Sequence, residues 1–320
     1  MKTISELTDF YYKTLYPILQ ELEEARKHLK SRVVTVGITY TIIFALLFFS
    51  FFQYMDIDFI VFAIVAYVAL GGFIYKFMIS TYRDEFKTKI MKPLILEIDN
   101  TFRYIPNMHI DVEFFKRSQL FPSPDRFSGN DLVKGKIDGV DLKFSDLHAE
   151  KEYKDSKGRR SYSTIFKGLF IVSDFHKNFQ GHTVVLPDIA QNTFGDMIGS
   201  FLQSNNFTRR GELIKMDSPE FEKEFVVYGS DQIEARYILT HSLMEKILHY
   251  KKHSGHPVYV SFKGQNIYMA IEYNKDLFEP SVFRSLLEYK IAMEYIKTLH
   301  LSIGIVEELK LNQKLWSKHG

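Results

Sequence analysis

Two stretches near the N-terminus break the pattern of the rest of the chain. From Val33 to Met55 (VVTVGITYTIIFALLFFSFFQYM) there is no Asp, Glu, Lys, Arg or His, and Phe59 to Tyr75 repeats the feature. Apolar residues then continue past Lys76 to Ile79. A helix rises about 1.5 Å per residue, so roughly 20 apolar residues cross the hydrocarbon core of a bilayer. The runs predict transmembrane helices over 33–55 and 59–79, joined by a short loop at 56–58 that holds Asp56 and Asp58. So close a spacing forces an antiparallel hairpin. Lys76, at the end of the second run, can snorkel to the headgroups. A helical pair buried in a soluble core is the competing reading, but such cores rarely need two adjacent runs of this length. A cleaved signal peptide is not expected: the apolar block starts late, is too long and lacks a small-x-small cleavage site.

Helical periodicity continues on both sides. Ile4, Leu7, Tyr11, Ile18, Leu22, Ala25 and Leu29 line one face over residues 1–32, with Glu21, Glu23, Glu24 and Lys27 opposite and Pro17 as the expected kink. The mixed sign of that polar face favours packing on another helix over lying on lipid. Tyr82, Phe86, Ile90 and Leu94 predict a stalk helix over 80–100, bent or ended at Pro93. Val282, Leu286, Met293, Ile296, Ile303 and Val306 predict a long helix within 281–320, whose polar tail carries the only Trp, Trp316. Such helices could form a bundle within one chain or between chains.

The region 101–280 reads differently. Val140, Leu142 and Phe144 alternate with polar residues after Asp138-Gly139, a hairpin signal. A basic tip, Lys154 to Arg160, separates this strand from Ser163–Asp174, and Gly181–Leu186 ends the meander. Val258, Val260 and Phe262 face Ile267, Met269, Ile271 and Tyr273 across Lys263-Gly264-Gln265-Asn266, a second expected hairpin. Helices are expected at Ile189–Gln203 and at Thr240–Lys252, the latter closed by Gly255 and Pro257. Antiparallel strands with interspersed helices give an α+β domain.

Composition changes the picture only when it is localised. The 320 residues carry 41 Lys plus Arg against 39 Asp plus Glu, a net +2, which is too weak for nucleic-acid binding by bulk charge. The lack of cysteine removes disulfides, thiolate metal sites and a Cys nucleophile. The mean hydropathy of −0.13 averages two uncharged spans with a charge-rich remainder. Arg26, Lys27, Lys30 and Arg32 precede the first span, and Lys76, Arg83, Lys87 and Lys89 end or follow the second, whereas the loop holds only Asp56 and Asp58. The positive-inside bias puts both termini and the α+β domain in the cytoplasm.

Three segments carry a resemblance: FKGLFIVSDFHKNFQGHTVVLPD (Phe166–Asp188), FEKEFVVYGSDQIEARYILTHSLMEKIL (Phe221–Leu248) and VYVSFKGQNIYMAIEYNKDLFEP (Val258–Pro280). The chain resembles the bacterial membrane-protein family known as domain of unknown function 3137, in detail from about Phe121 to Pro280 and in overall plan. The middle segment is the most specific, through Phe221, Phe225, Tyr228, Asp231, Glu234, Arg236 and Tyr237. The resemblance implies an N-terminal helix, paired spans in a bacterial cytoplasmic membrane and a cytoplasmic domain. It brings no activity and no catalytic residue. Genes of the family often stand beside those for LemA-type membrane proteins, which implies such a protein as a partner.

Chemical motifs are sparse. The chain has no G-x-G-x-x-G, no G-x-x-x-x-G-K-[ST], no G-x-S-x-G and no H-E-x-x-H. His249, His253 and His256 form a candidate metal group, since the first two are one helical turn apart. Lys251 and Lys252 oppose a cation there, and a basic helix end suits the dipole without a metal. Asp231, Glu234 and Arg236 are the second candidate, read mainly as a cap and ion pair with Ser230 at the N-cap. His176 and His182 are expected to flank a turn at the surface, and Asn206-Phe207-Thr208 is a chance sequon. The basic tip could touch anionic lipid, at roughly 1 kcal/mol per Lys or Arg. No cofactor is expected. The reading is of a membrane-anchored interaction or scaffold protein, non-enzymatic and assembling with itself or another membrane protein. The alternatives are a ligand- or lipid-sensing domain and an enzyme on the cytoplasmic side.

Overall fold

The computed structural model describes residues 2–137, 139–154, 158–188, 212–273 and 276–316, and side chains at all of these except 175–177, 301–302 and 305–316. The expected helix Ile189–Gln203, the sequon, the middle of the basic tip, Asp138, and the side chains of His176 and Trp316 lie outside that description. The chain divides into two compact units, a helical one made of residues 5–94 and 278–294, and a sheet-based one made of 95–277 with 295–320 and the first four residues.

The helical unit begins with α1 (Ile4–Phe10), a π-helical turn (Tyr11–Leu15) and α2 (Tyr16–Phe51). The chain reverses through a 3-10 turn at Phe52–Tyr54, and α3 (Ile57–Phe86) returns. Asp56 caps α3 by accepting from Phe59 N–H at 2.8 Å. The reversal therefore runs over 52–56, and Asp58 already lies in the first helical turn. A second π turn (Lys87–Met91) leads into α4 (Lys92–Ile98). Each π turn ends one residue ahead of an X-Pro pair, Tyr16-Pro17 or Lys92-Pro93. Proline lacks an N–H for the carbonyl four residues back, so the preceding turn widens, and Lys92 N–H bonds to Lys87 O, five residues away. Pro17 thus sits in the first turn of α2 and the distortion precedes it, where a kink at the proline was expected.

Leu7, Tyr11, Leu15, Leu19 and Leu22 are buried along the first helical stripe, and Tyr82, Phe86, Ile90, Met91 and Leu94 along the second. Val282 and Leu286 are buried too, but not on a helix: α9 begins only at Tyr289 and runs to Trp316. Ser281 and Ser285 accept from Phe283 N–H and Leu287 N–H, local bonds that compete with a helix.

The sheet unit holds seven described strands, all paired antiparallel. They are β1 (Arg103–Ile105), β2 (Arg126–Ile137), β3 (Val140–Lys154), β4 (Arg160–Pro187), β5 (Glu212–Ile214), β6 (Phe225–Gly229) and β7 (Val258–Glu272). The strand β4 is 28 residues long and forms the spine. Its first half pairs with β3 and its last residues with β6, both on one edge, while β7 follows the other edge. The expected second hairpin is absent: both halves of Val258–Glu272 pair with β4 as one strand. Gly264, at φ +61°, absorbs the irregularity that its neighbours signalled as a turn. The helices α5 (Val112–Ser118), α6 (Pro219–Glu222), α7 (Gln232–Ile238) and α8 (His241–Ser254) belong to this unit, as does α9 from Tyr295 onward. Phe115 of α5 stacks on Phe121 and, with Phe166, Phe170 and Tyr268, forms an aromatic core on one sheet face. The architecture is α+β, as expected.

Candidate functional site

The most exposed apolar surface belongs to the hairpin. Among the described residues, none of the most apolar window of either long helix is buried. Between α2 and α3 lies a cleft of about 340 Å³, lined by Gly37, Tyr40, Thr41, Tyr67, Gly71 and Gly72 among others. Tyr40 and Tyr67 stack at 4.8 Å, nearly parallel. Tyr40 O–H donates to Tyr67 O at 2.8 Å, and Thr41 Oγ1 lies 2.8 Å from the Tyr67 hydroxyl. A methyl at Gly71 would press on the Tyr40 ring at 3.3 Å, so the glycine permits the stack. Small residues let two apolar helices approach closely, and Thr41, whose hydroxyl donates to Gly37 O at 2.8 Å, is left to accept from Tyr67 O–H.

Toward the termini the same helices carry buried charge. Arg26 donates from Nε and Nη2 to the Glu23 carboxylate at 2.8 and 2.7 Å, and from Nη1 to Val282 O. Glu23 also accepts from Leu286 N–H at 3.0 Å. Burial alone would raise the Glu23 carboxyl, but hydrogen bonds from Arg26, Leu286 and Ser285 hold it below the ordinary range. The hydrogen bond to Glu23 raises Arg26 in turn. Lys87 Nζ pairs with Glu279 at 2.7 Å, and Arg83 Nε lies 3.7 Å from the same carboxylate. Burial pushes the Tyr82 hydroxyl upward, and among the described residues its oxygen has no hydrogen-bond partner. These groups clasp residues 279–286 by their charge and their backbone. Two of the charges counted for topology are therefore internal: Arg26 is 6% exposed and Lys87 1%. Lys27, Lys30, Arg32 and Lys76 stay exposed, as does Asp58.

The metal candidates do not converge. His253 Nδ1 lies 3.0 Å from His249 O, the two ring centroids are 3.9 Å apart with the planes tilted by 37°, and His256 packs on Tyr273. No group of three metal-ligating side chains occurs among the described residues.

The family-like segment holds a bend in β4. Asp231, not Ser230, caps α7 through Ile233 and Glu234 N–H. Ser230 Oγ accepts from His182 N–H, and Glu234 accepts from Gln180 and Gly181 N–H. A side chain at Gly181 would meet both Glu234 and Ser230. Arg236 reaches Asp217 at 4.0 Å, Phe221 and Phe225 stack in the core, Tyr228 packs against the core cluster, and Tyr237 is exposed. Glu234 thus spends its carboxylate on the backbone, where an ion pair with Arg236 was expected. His182, expected at the surface, is buried: burial pulls its pKa down to about 3. Ser261 O–H donates to Ser118 O, which leaves the neutral His182 to donate from Nε2 to Ser261 Oγ. The signal missed in the sequence was GHTVVL itself, a short apolar run that is buried on both faces of the sheet and takes His182 with it.

No curated protein matches the chain. Among solved structures, the crystal structure of the mycobacterial trehalose monomycolate transport factor A, TtfA, aligns at 10% identity with a TM-score of 0.33, over 65% of this chain and 91% of that one. Residues 164–311 match the model of the family described as protein of unknown function (DUF3137), the family that the sequence resembles.

Proposed function

We propose that the chain is a membrane-anchored interaction module: the hairpin spans a bacterial cytoplasmic membrane, both termini and the sheet unit face the cytoplasm, and the spans assemble with a second copy or with another membrane protein, a LemA-type protein being the partner that the family resemblance suggests. One observation carries this reading. Among the described residues nothing covers the apolar windows of the two long helices, which supports lipid or another protein's helices as their cover. The glycine-lined cleft between them offers a close-approach surface.

The absence of cysteine makes the test direct. Val68→Cys lies in the cleft and is 65% exposed, while Phe73→Cys is comparably exposed outside it. Oxidative crosslinking in native membranes, read by mass spectrometry, should trap a dimer or a partner at Val68→Cys more than at Phe73→Cys. Monomer alone at both positions would sink the assembly reading.

A further inference from the structure

A second surface lies wholly within the sheet unit. On the face covered by α5, one rung crosses β1, β2, β3, β4 and β7 as Arg103, Lys134, Lys143, Val172 and Tyr268. Val172 and Tyr268 are core residues. The same rung then emerges as three adjacent cations in a groove of about 640 Å³. Residues directly opposite on antiparallel strands point to the same face with Cβ atoms about 5 Å apart, and like charges so placed destabilise a sheet. Among the described residues, none of the three has an ion-pair partner; on the next rung Lys136 takes Asp141 at 3.4 Å. Asp174 and Asn266 close the far wall. Lys143 is held in place, with its Nζ 3.1 Å from the Phe114 ring centroid. Burial pulls its pKa down, with Lys134 and Arg117 acting in the same direction against Asp141 and Asp111. An arriving anion would offset that loss of hydration.

We propose that the groove where Arg103, Lys134 and Lys143 stand side by side is a binding site for a phosphorylated small molecule carrying at least two negative charges. Two interstrand steps separate Arg103 from Lys143, about 10 Å, which suits charge spread over two phosphoryl groups or over a phosphate and a second anion. Arg103 supplies a fork for bidentate contact, and the two lysines supply point charges. The volume lies in the usual range for small-ligand sites. The phosphate could come from a soluble metabolite or from a lipid headgroup.

The test uses the full chain in phosphatidylcholine nanodiscs, titrated calorimetrically with pyrophosphate in one arm and with short-chain phosphatidic acid, below its micelle concentration, in the other. Binding in the first arm assigns a soluble ligand, and in the second a headgroup. Lys134→Glu should weaken binding at least tenfold without lowering the melting temperature, because it also relieves like-charge contact. Arg103→Gln, on a different strand, repeats the test if Lys134→Glu fails to fold. Lys223→Glu makes the same charge change at an exposed site outside the groove and should leave binding unchanged. No binding in either arm, or equal loss in Lys134→Glu and Lys223→Glu, would overturn the proposal.

Discussion

Asp146 on β3 is a buried carboxyl, 4% exposed; among the described residues its Oδ1 has no hydrogen-bond partner, and its Oδ2 accepts from Leu277 N–H at 3.0 Å. Burial first, then the nearby carboxylates of Asp276 and Asp131, pushes its pKa from an ordinary 3.8 to about 7, against the pull of Leu277 N–H and Lys167. A raised carboxyl pKa means that the folded state binds the proton more tightly than the unfolded chain does. The resulting stability is complete below about pH 3.8 and is lost as pH rises through about 7. At ~1.4 kcal/mol per pH unit the whole interval amounts to about 4 kcal/mol. Asp146→Asn keeps an acceptor for Leu277 N–H and has no proton to lose. It should therefore match the wild type near pH 4 and exceed it by up to about 4 kcal/mol at pH 8. His182, whose pKa burial lowers to about 3, slopes the other way: its contribution is complete above its unfolded value of 6.5 and is lost as pH falls toward about 3. Both proteins carry it, so it cancels in their difference. Calorimetric melting in mild detergent would read a gap of about 8–16 °C at pH 8 that shrinks to a few degrees at pH 4.5. A gap of the same size at both pH values would refute the assignment.

Arg26→Ala strips the cation from buried Glu23 and should cost about 3–5 kcal/mol. Hydrogen exchange of residues 281–288 should then rise, and unchanged protection would show that the ion pair does not hold that segment. The hairpin orientation is read by an impermeant maleimide on intact cells, which should label Met55→Cys and spare Lys30→Cys; the reverse pattern places the domain outside. Gly168→Ala puts a methyl onto the Ile271 carbonyl oxygen at φ +150° and should destabilise the sheet by well over about 1 kcal/mol. An unchanged melting temperature would mean that β7 can shift aside.

The features that the sequence revealed are the ones a local window contains. Val33–Met55 and Phe59–Tyr75 announce long apolar helices by composition, and Thr240 with Gly255 brackets α8 by cap chemistry. The misreadings share a cause at longer range. Lys263-Gly264-Gln265-Asn266 has hairpin composition, yet β4 offers both halves of that segment an edge, and pairing with a long strand outweighs a local turn. Residues 281–288 have helical spacing, but Glu23 and Arg26, some 260 positions away, take their backbone groups. The cationic rung was invisible for the same reason: Arg103, Lys134 and Lys143 become neighbours only once the register of three strands is set.

The length of β4 also fixes an order of events during synthesis. Its 28 residues leave the ribosome with β3 already present for half of one edge, but the strand that covers the other edge begins some seventy residues later. At roughly 5–20 residues per second, that edge stays open for several seconds. An unpaired apolar edge is a template for pairing with another nascent chain. Chaperone demand for this protein should therefore fall in the interval between the emergence of Pro187 and that of Val258, and slowing translation there should increase misassembly more than slowing it anywhere earlier.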